Sequence, residues 1–146
     1  MSAESNCLGA FRDHGVEFSS PRGGQAKGTC PFCQKQNHFY TNPKTGLWDC
    51  KACGESGNII SFLGRIAEHR REETTEADYK RLAHMRGIPA GGLKRWGVCW
   101  DGSHWLIPGR ASTGEVHDIR RWNPATGPLR STTGCKVWLL CTSDAA

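Results

Sequence analysis

Long apolar runs and targeting signals are both missing from this sequence of 146 residues. No stretch approaches the roughly 18 apolar residues that a membrane-spanning helix needs. The opening residues, Met-Ser-Ala-Glu-Ser-Asn, lack the charged and then apolar pattern of a targeting segment. We therefore expect a soluble cytoplasmic protein with no membrane partner.

The composition also lacks the material for a large continuous core. Hydrophobic residues make up 37% of the chain, and 18 residues are glycine. The length fits one ordinary domain or two small ones. A module of about 60 residues usually needs a bound metal or a comparable cross-link to be stable. The net charge of +5 permits an anionic partner without demanding one.

The sequence does contain two Cys-x-x-Cys pairs, Cys30 with Cys33 and Cys50 with Cys53. Two such pairs about 15 to 20 residues apart are typical of zinc sites, because each short loop presents two thiolates to one side of a tetrahedral ion. The prediction is one structural Zn²⁺ ion held by these four cysteines. Iron of the rubredoxin type uses the same four thiolates, so ligand identity leaves that metal open.

Disulfide and redox interpretations of the cysteines are weaker. A Cys-x-x-Cys pair bonded to itself closes a strained small ring. A thioredoxin-like site needs one such motif at the start of a helix, rather than two facing each other. We expect reduced thiols at the four cysteines without paired spacing, which are Cys7, Cys99, Cys135 and Cys141.

The segment between the cysteine pairs predicts a β-hairpin. Residues 37–41 and 46–49 are short runs rich in aromatic side chains, with an Asn-Pro-Lys-Thr turn between them. Unpaired nucleic-acid bases stack on exposed aromatic rings, and nearby lysines can meet phosphate. The alternative is that the same rings fill the small core of the ribbon. The candidate nucleic-acid contacts in this segment are Lys35, His38, Tyr40, Trp48 and Lys51.

Two helices are predicted after the second cysteine pair. Asn58 is a good N-cap for a helix that begins at Ile59, where apolar residues follow helical spacing. A second helix is predicted from Glu76 to Arg86, and the polar residues 72–76 are predicted to link the two. A further helical turn is expected over residues 93–98.

From Cys99 onward the pattern changes to short strands and tight turns. Residues 105–108 and 115–120 are predicted strands joined by a Ser-Thr-Gly turn, and residues 136–140 form a last predicted strand. Positive charge beside an aromatic side chain adds three further candidate nucleic-acid contacts, Arg120, Arg121 and Trp122.

The predicted fold class is α+β, with three parts. Residues 1–72 form a zinc ribbon, which is a short antiparallel hairpin or sheet with a packed helix. Residues 73–98 form a helical linker, and residues 99–146 form a small β-rich subdomain.

These motifs resemble the N-terminal zinc-binding domain of bacterial and phage DNA primases. The resemblance rests on Lys27-Gly28-Thr29-Cys30-Pro31-Phe32-Cys33, on Trp48-Asp49-Cys50-Lys51-Ala52-Cys53-Gly54, and on Gly57-Asn58-Ile59-Ile60-Ser61-Phe62. Many members have histidine at the second ligand, where this chain has Cys33, and an acid where Asn58 stands. Shorter matches over residues 80–141 are similar to the beginning of the primase polymerase core.

The resemblance implies a role in DNA replication. In that family the zinc ribbon contacts single-stranded DNA template, and acidic residues of a TOPRIM fold use Mg²⁺ to make RNA primers. Those acids are not found here, so no catalytic residue is predicted, and Mg²⁺ is expected only in a complete polymerase core. The implied partners are the template, a replicative helicase or a downstream polymerase domain, in a bacterial or phage-infected cell. The alternative function is a protein-interaction zinc ribbon without primase activity.

Overall fold

The computed structural model describes residues 7–19, 24–127 and 129–132. They divide into two compact units, with the boundary between Phe62 and Leu63 and with Thr132 grouped with the first. Both units combine helices with a small antiparallel sheet, so the predicted α+β class is confirmed. Within the described ranges, no helix is long and apolar enough to cross a membrane.

The first unit is built around a four-stranded antiparallel sheet in the order β1-β2-β3-β4. Its helices and strands, in chain order, are α1 (Leu8–Asp13), β1 (Ala26–Gly28), β2 (Phe39–Thr41), β3 (Trp48–Cys50), β4 (Ser56–Gly57) and the start of α2 (Ile59–Glu73). Strands β2 and β3 confirm the predicted hairpin. The outer strands β1 and β4 were not predicted, because three and two residues are too few to show a period.

An aromatic cluster fills the core of the first unit. Phe62 has no exposed surface, and its ring centroid lies 4.4 Å from that of Phe11 and 5.8 Å from that of Trp48. Phe39 stacks on Trp48 at 5.4 Å between centroids, and Phe32 lies 6.0 Å from Phe62. Aromatic pairs in these arrangements add about 0.5–1.5 kcal/mol each beyond burial of their area. A small unit thereby gains a dense core from few residues.

Helix α2 begins with a reciprocal cap. The Asn58 side chain accepts a hydrogen bond from the backbone N–H of Ser61, at 2.9 Å. The Ser61 hydroxyl oxygen accepts one from the N–H of Asn58, also at 2.9 Å. Two N–H groups that the first helical turn leaves open are thus satisfied. The prediction of Asn58 as the N-cap is correct.

The second unit contains the rest of α2, two further helices and a three-stranded antiparallel sheet in the order β5-β6-β7. These elements are α3 (Glu76–Arg86), α4 (Ala90–Arg95), β5 (Cys99–Trp100), β6 (Trp105–Arg110) and β7 (Val116–Trp122). Helix α3 has the predicted limits, and Thr75 and Asp78 form a capping box at its start. The predicted linker over residues 72–76 is wrong in extent, because α2 continues to Glu73.

The second unit has its own core between the helices and the sheet. Five buried residues form it, Tyr79, Leu82, Leu93, Val98 and Trp105. The Tyr79 hydroxyl donates to the backbone carbonyl of Val98 at 2.9 Å, so the polar end of a buried ring is satisfied. This bond joins α3 to the entry of β5.

The cysteines outside the paired motifs differ from one another. Cys99 is a buried free cysteine, as expected. Cys7 is disulfide-bonded, so the expectation of a reduced thiol is wrong for it. Spacing along the chain carries no information on pairing between distant cysteines. Cys135, Cys141 and the predicted strand at 136–140 lie outside the described residues.

Candidate metal centre and nucleic-acid interface

The four predicted ligands converge at one end of the sheet. All four Sγ atoms lie within 4.8 Å of one another, with 3.9 Å between Cys30 and Cys53 and 3.7 Å between Cys33 and Cys50. Sulfurs placed tetrahedrally around zinc at about 2.3 Å are separated by about 3.8 Å. The four cysteines therefore form a site that can hold one zinc ion.

Each cysteine pair has the same backbone geometry. The N–H groups of Phe32 and Cys33 lie 3.4 and 3.5 Å from the Cys30 sulfur. In the second pair, the N–H groups of Ala52 and Cys53 each lie 3.4 Å from the Cys50 sulfur. Donors aimed at sulfur favour the thiolate, which is the form that binds metal. We call these two loops, residues 30–34 and 50–54, the knuckles.

The residue after each pair completes its knuckle in the left-handed region. Gln34 has a φ of 66° and Gly54 a φ of 81°. The N–H of Gln34 donates to the Cys30 carbonyl and that of Gly54 to the Cys50 carbonyl, at 2.9 Å in both cases. Glycine adopts this conformation without penalty, whereas glutamine does so at some cost.

The two buried thiols differ in their electrostatic environment. Burial raises the pKa of Cys30, and the N–H donors of Cys33 and Phe32 offset only part of that effect. Burial acts in the same direction on Cys50, but the N–H donors of Cys53 and Ala52 outweigh it and hold the Cys50 pKa below its ordinary value. Since metal is bound by the thiolate, the raised pKa of Cys30 means that binding of zinc by these cysteines would strengthen as pH rises.

The comparison with known families agrees with this geometry. Residues 15–90, more than half of the chain, match the DnaG-type zinc ribbon described as the CHC2 zinc finger. The chain belongs to the CHC2 zinc-finger family. The letters CHC2 denote a ligand set with one histidine, whereas the four candidate ligands of this chain are all cysteines.

Similar proteins are DNA primases. The CHC2 zinc finger is 34% identical over 74 residues to the DNA primase of Streptomyces coelicolor, which covers 50% of this chain and 11% of that protein. It is also 34% identical over 67 residues to the DNA primase of Thermotoga maritima, covering 45% of this chain and 11% of that protein. The chain thus spans about a tenth of the length of these relatives.

One solved structure is similar over a longer range. It is described as the Aquifex aeolicus primase, with zinc-binding and RNA polymerase domains. The similarity covers 87% of this chain and 51% of that one, with 12% sequence identity and a TM-score of 0.33.

The outer face of the sheet carries a half-exposed ring between two lysines. Lys27, Tyr40 and Asp49 pair across β1, β2 and β3, so their side chains lie on one face. The Nζ atoms of Lys27 and Lys51 lie 5.5 and 5.7 Å from the Tyr40 ring centroid. Both lysines are exposed. We call these four residues the Tyr40 face.

Asp49 modifies the charge of the Tyr40 face. Its carboxylate lies 2.9 Å from the Lys51 ammonium, and this hydrogen bond and charge raise the pKa of Lys51. Exposed pairs of this kind contribute little to stability and exchange partners readily. Lys27 has no acidic partner among the residues that the structure describes, so the face retains positive charge.

The other predicted contacts in the ribbon fall into two groups. Lys35 and His38 are exposed in the loop between the first knuckle and β2, and His38 donates from Nδ1 to the Gln36 carbonyl at 2.7 Å. Trp48 is only 4% exposed, and its indole N–H donates to the Asn58 carbonyl at 2.8 Å. Trp48 is therefore a core residue, and its prediction as a base contact is corrected.

Sequence reasoning did not place Lys27 beside Tyr40. Its place opposite Tyr40 depends on β1, which is too short to predict. For Trp48 a signal was available, since Trp48 and Cys50 are two residues apart on one strand and share a face. Because Cys50 points toward the metal site, Trp48 on the same face of β3 also points toward the interior.

In the second unit, the structure places one predicted contact, Arg121, on the opposite face of its strand from the other two. Arg120 and Trp122 share one face of β7, whereas Arg121 lies on the other and is half-buried. Arg120 is exposed. The Arg86 guanidinium lies 5.0 Å from the Trp122 ring centroid. Arg121 therefore does not share a strand face with Arg120 and Trp122.

Proposed function

We propose that this CHC2 zinc finger is the template-recognition part of a DNA primase and that its Tyr40 face binds single-stranded DNA. The observation that carries the proposal is the half-exposed Tyr40 ring flanked by two lysine ammonium groups. Similarity to named DNA primases supports the same role. The proposed setting is the cytoplasm of a bacterial or phage-infected cell.

Recognition would combine stacking with charge. An unpaired base placed on the Tyr40 ring gains about 1–3 kcal/mol, whatever its sequence. The lysines flanking the ring are placed to meet phosphates on either side of that base. Phosphate competes with Asp49 for Lys51 at small cost, because the pair is exposed.

The proposed role of zinc is structural. Four thiolates fill the tetrahedral coordination of zinc and leave no open position for water or substrate. The ion would fix the knuckles, and the second knuckle contributes Lys51 to the Tyr40 face. Metal binding would thereby shape the template contact without taking part in nucleotide joining.

Further partners are part of the same proposal. Arg120, Arg121 and Trp122 remain candidate contacts of template or of the primer-template duplex. Mg²⁺ would be required only by a complete polymerase core. A replicative helicase and a downstream polymerase domain are the proposed protein partners.

The test is titration of a fluorescent single-stranded oligonucleotide with the zinc-loaded chain, followed by anisotropy. We expect Tyr40→Ala to weaken binding about 5- to 100-fold, as loss of one stacked base predicts. Lys51→Ala should lower the salt dependence by about one phosphate contact. Lys44→Ala, which removes an exposed cation in the turn of the same hairpin, is the matched control.

Three results would contradict the proposal. Equal affinity of the wild type, Tyr40→Ala and Lys51→Ala would place the DNA elsewhere. Absence of binding at low salt would favour the protein-interaction zinc ribbon instead. Salt-independent binding would likewise argue against phosphate contacts.

A further inference from the structure

The second unit carries an apolar groove that the proposed template face does not use. Its volume is about 320 Å³, near the lower end of the roughly 300–1,000 Å³ typical of ligand pockets. The walls come from α3, α4 and the hairpin of β6 and β7. The lining residues that matter below are Arg86, Trp96, Trp105, Ile107 and Trp122.

Three indole rings line the groove, those of Trp96, Trp105 and Trp122. Trp105 is only 1% exposed and belongs to the core of the second unit. Flat aromatic rings favour a flat guest that can stack on them, and nucleobases are guests of that shape.

The charges around the groove favour an anionic guest. Ile107 pairs with Arg120 and Trp105 with Trp122, so Arg120 lies on the groove face of the hairpin. Arg86 covers the Trp122 ring from α3 at 5.0 Å. Both arginines are exposed, and neither has an acidic partner within the described ranges.

An apolar peptide would match the walls but would leave the two arginines unexplained. A strand of nucleic acid uses both features, because stacking on aromatic rings and phosphate contacts to arginine are its usual modes of binding. Trp96 is 68% exposed at the end of α4, which is a position accessible to an incoming base.

We propose that this groove binds one unpaired base of a single-stranded nucleic acid, with Arg86 and Arg120 contacting the phosphates beside it. The inference rests on the proposed binding of single-stranded DNA and adds a second, separate contact to it. It assigns Trp96 and Trp122 as the stacking partners of that base.

Photo-crosslinking tests the location directly. The zinc-loaded chain is mixed with a single-stranded oligonucleotide containing 5-iododeoxyuridine, irradiated and digested, and the crosslinked residues are identified by mass spectrometry. We expect crosslinks at Trp96 or Trp122 in addition to Tyr40. Crosslinks confined to the Tyr40 face would overturn the groove assignment while leaving the proposed function intact. No binding of the wild-type chain would overturn both.

Matched substitutions test the energetics. Trp96→Ala is expected to weaken oligonucleotide binding about 5- to 100-fold, whereas Met85→Ala, also an exposed apolar residue, should leave it unchanged. Arg86→Ala should weaken binding and reduce its salt dependence, with Lys80→Ala on the same helix as its control. Unchanged affinity in both Trp96→Ala and Arg86→Ala would refute the proposal.

Discussion

Removing zinc should unfold the first unit while the Trp105 indole keeps its native environment. A folded unit of roughly 60 residues is stabilised by only about 3–9 kcal/mol, at about 0.05–0.15 kcal/mol per residue. Zinc bound to a structural cysteine site contributes about 10–16 kcal/mol at pH 7. The contribution of the metal therefore exceeds the whole expected stability of the unit, even though its aromatic core is well packed.

The indole N–H signals in a ¹H–¹⁵N NMR spectrum provide the assay. The Trp48 N–H bonds to the Asn58 carbonyl, so its signal should move to the position of an unfolded chain when a strong chelator removes zinc. Trp105 lies within the core of the second unit and serves as the internal reference. Added zinc should restore the Trp48 signal.

The reasoning fails if metal analysis shows complete removal and the Trp48 signal does not move. That result would mean that the aromatic cluster holds the first unit together without the metal. Cys50→Ser offers an independent check, since loss of one ligand should weaken zinc binding and shift Trp48 in the same way.

Four smaller effects follow from particular residues. Gly28→Ala should destabilise the zinc-loaded chain by about 1–3 kcal/mol in urea unfolding, because the new Cβ would lie 2.4 Å from the Glu17 carbonyl oxygen. Gly54→Ala should lower the free energy of unfolding by about 1–2 kcal/mol in the same assay, because the φ of Gly54 is +81°. Gly64→Ala in α2 should instead raise the free energy of unfolding by about 0.5–1 kcal/mol, since the new Cβ would meet no atom within 4 Å. Burial raises the Cys99 pKa from 9.0 to about 12, so the stability of the wild type relative to Cys99→Ala should be constant below about pH 8.5 and fall above it by up to about 1.4 kcal/mol per pH unit. An equal pH dependence of wild type and Cys99→Ala in urea unfolding would contradict the burial of that thiol.

The metal site was predictable because its information is local. Each Cys-x-x-Cys loop fixes two ligands by its own backbone, and the hairpin between the loops brings Cys33 and Cys50 together. The cap at Asn58 and the limits of α3 were predictable for the same reason, since capping residues and helical spacing act over a few positions.

The make-up of the Tyr40 face and of the groove depended on contacts that the sequence does not display. Lys27 reaches the Tyr40 face only through the pairing of β1 with β2. The groove of the second unit needs α3, α4 and the hairpin at once, so Trp96, Trp105 and Trp122 showed no common pattern. Both features depend on contacts between residues that are far apart in the sequence, and the local propensities of single residues do not predict such contacts.

In both knuckles the hydrogen bonds to sulfur come from the main chain, so they do not depend on the side chains between the two cysteines. Main-chain N–H groups serve the sulfurs in both loops, so the intervening side chains are released for other tasks. In the first loop Phe32 faces Trp48 and Phe62, and in the second Lys51 stands over Tyr40. The first knuckle thus contributes a side chain to the aromatic core, and the second contributes one to the exposed Tyr40 face. The side chain at position 51 can therefore change without altering the metal ligands or the main-chain donors to their sulfurs.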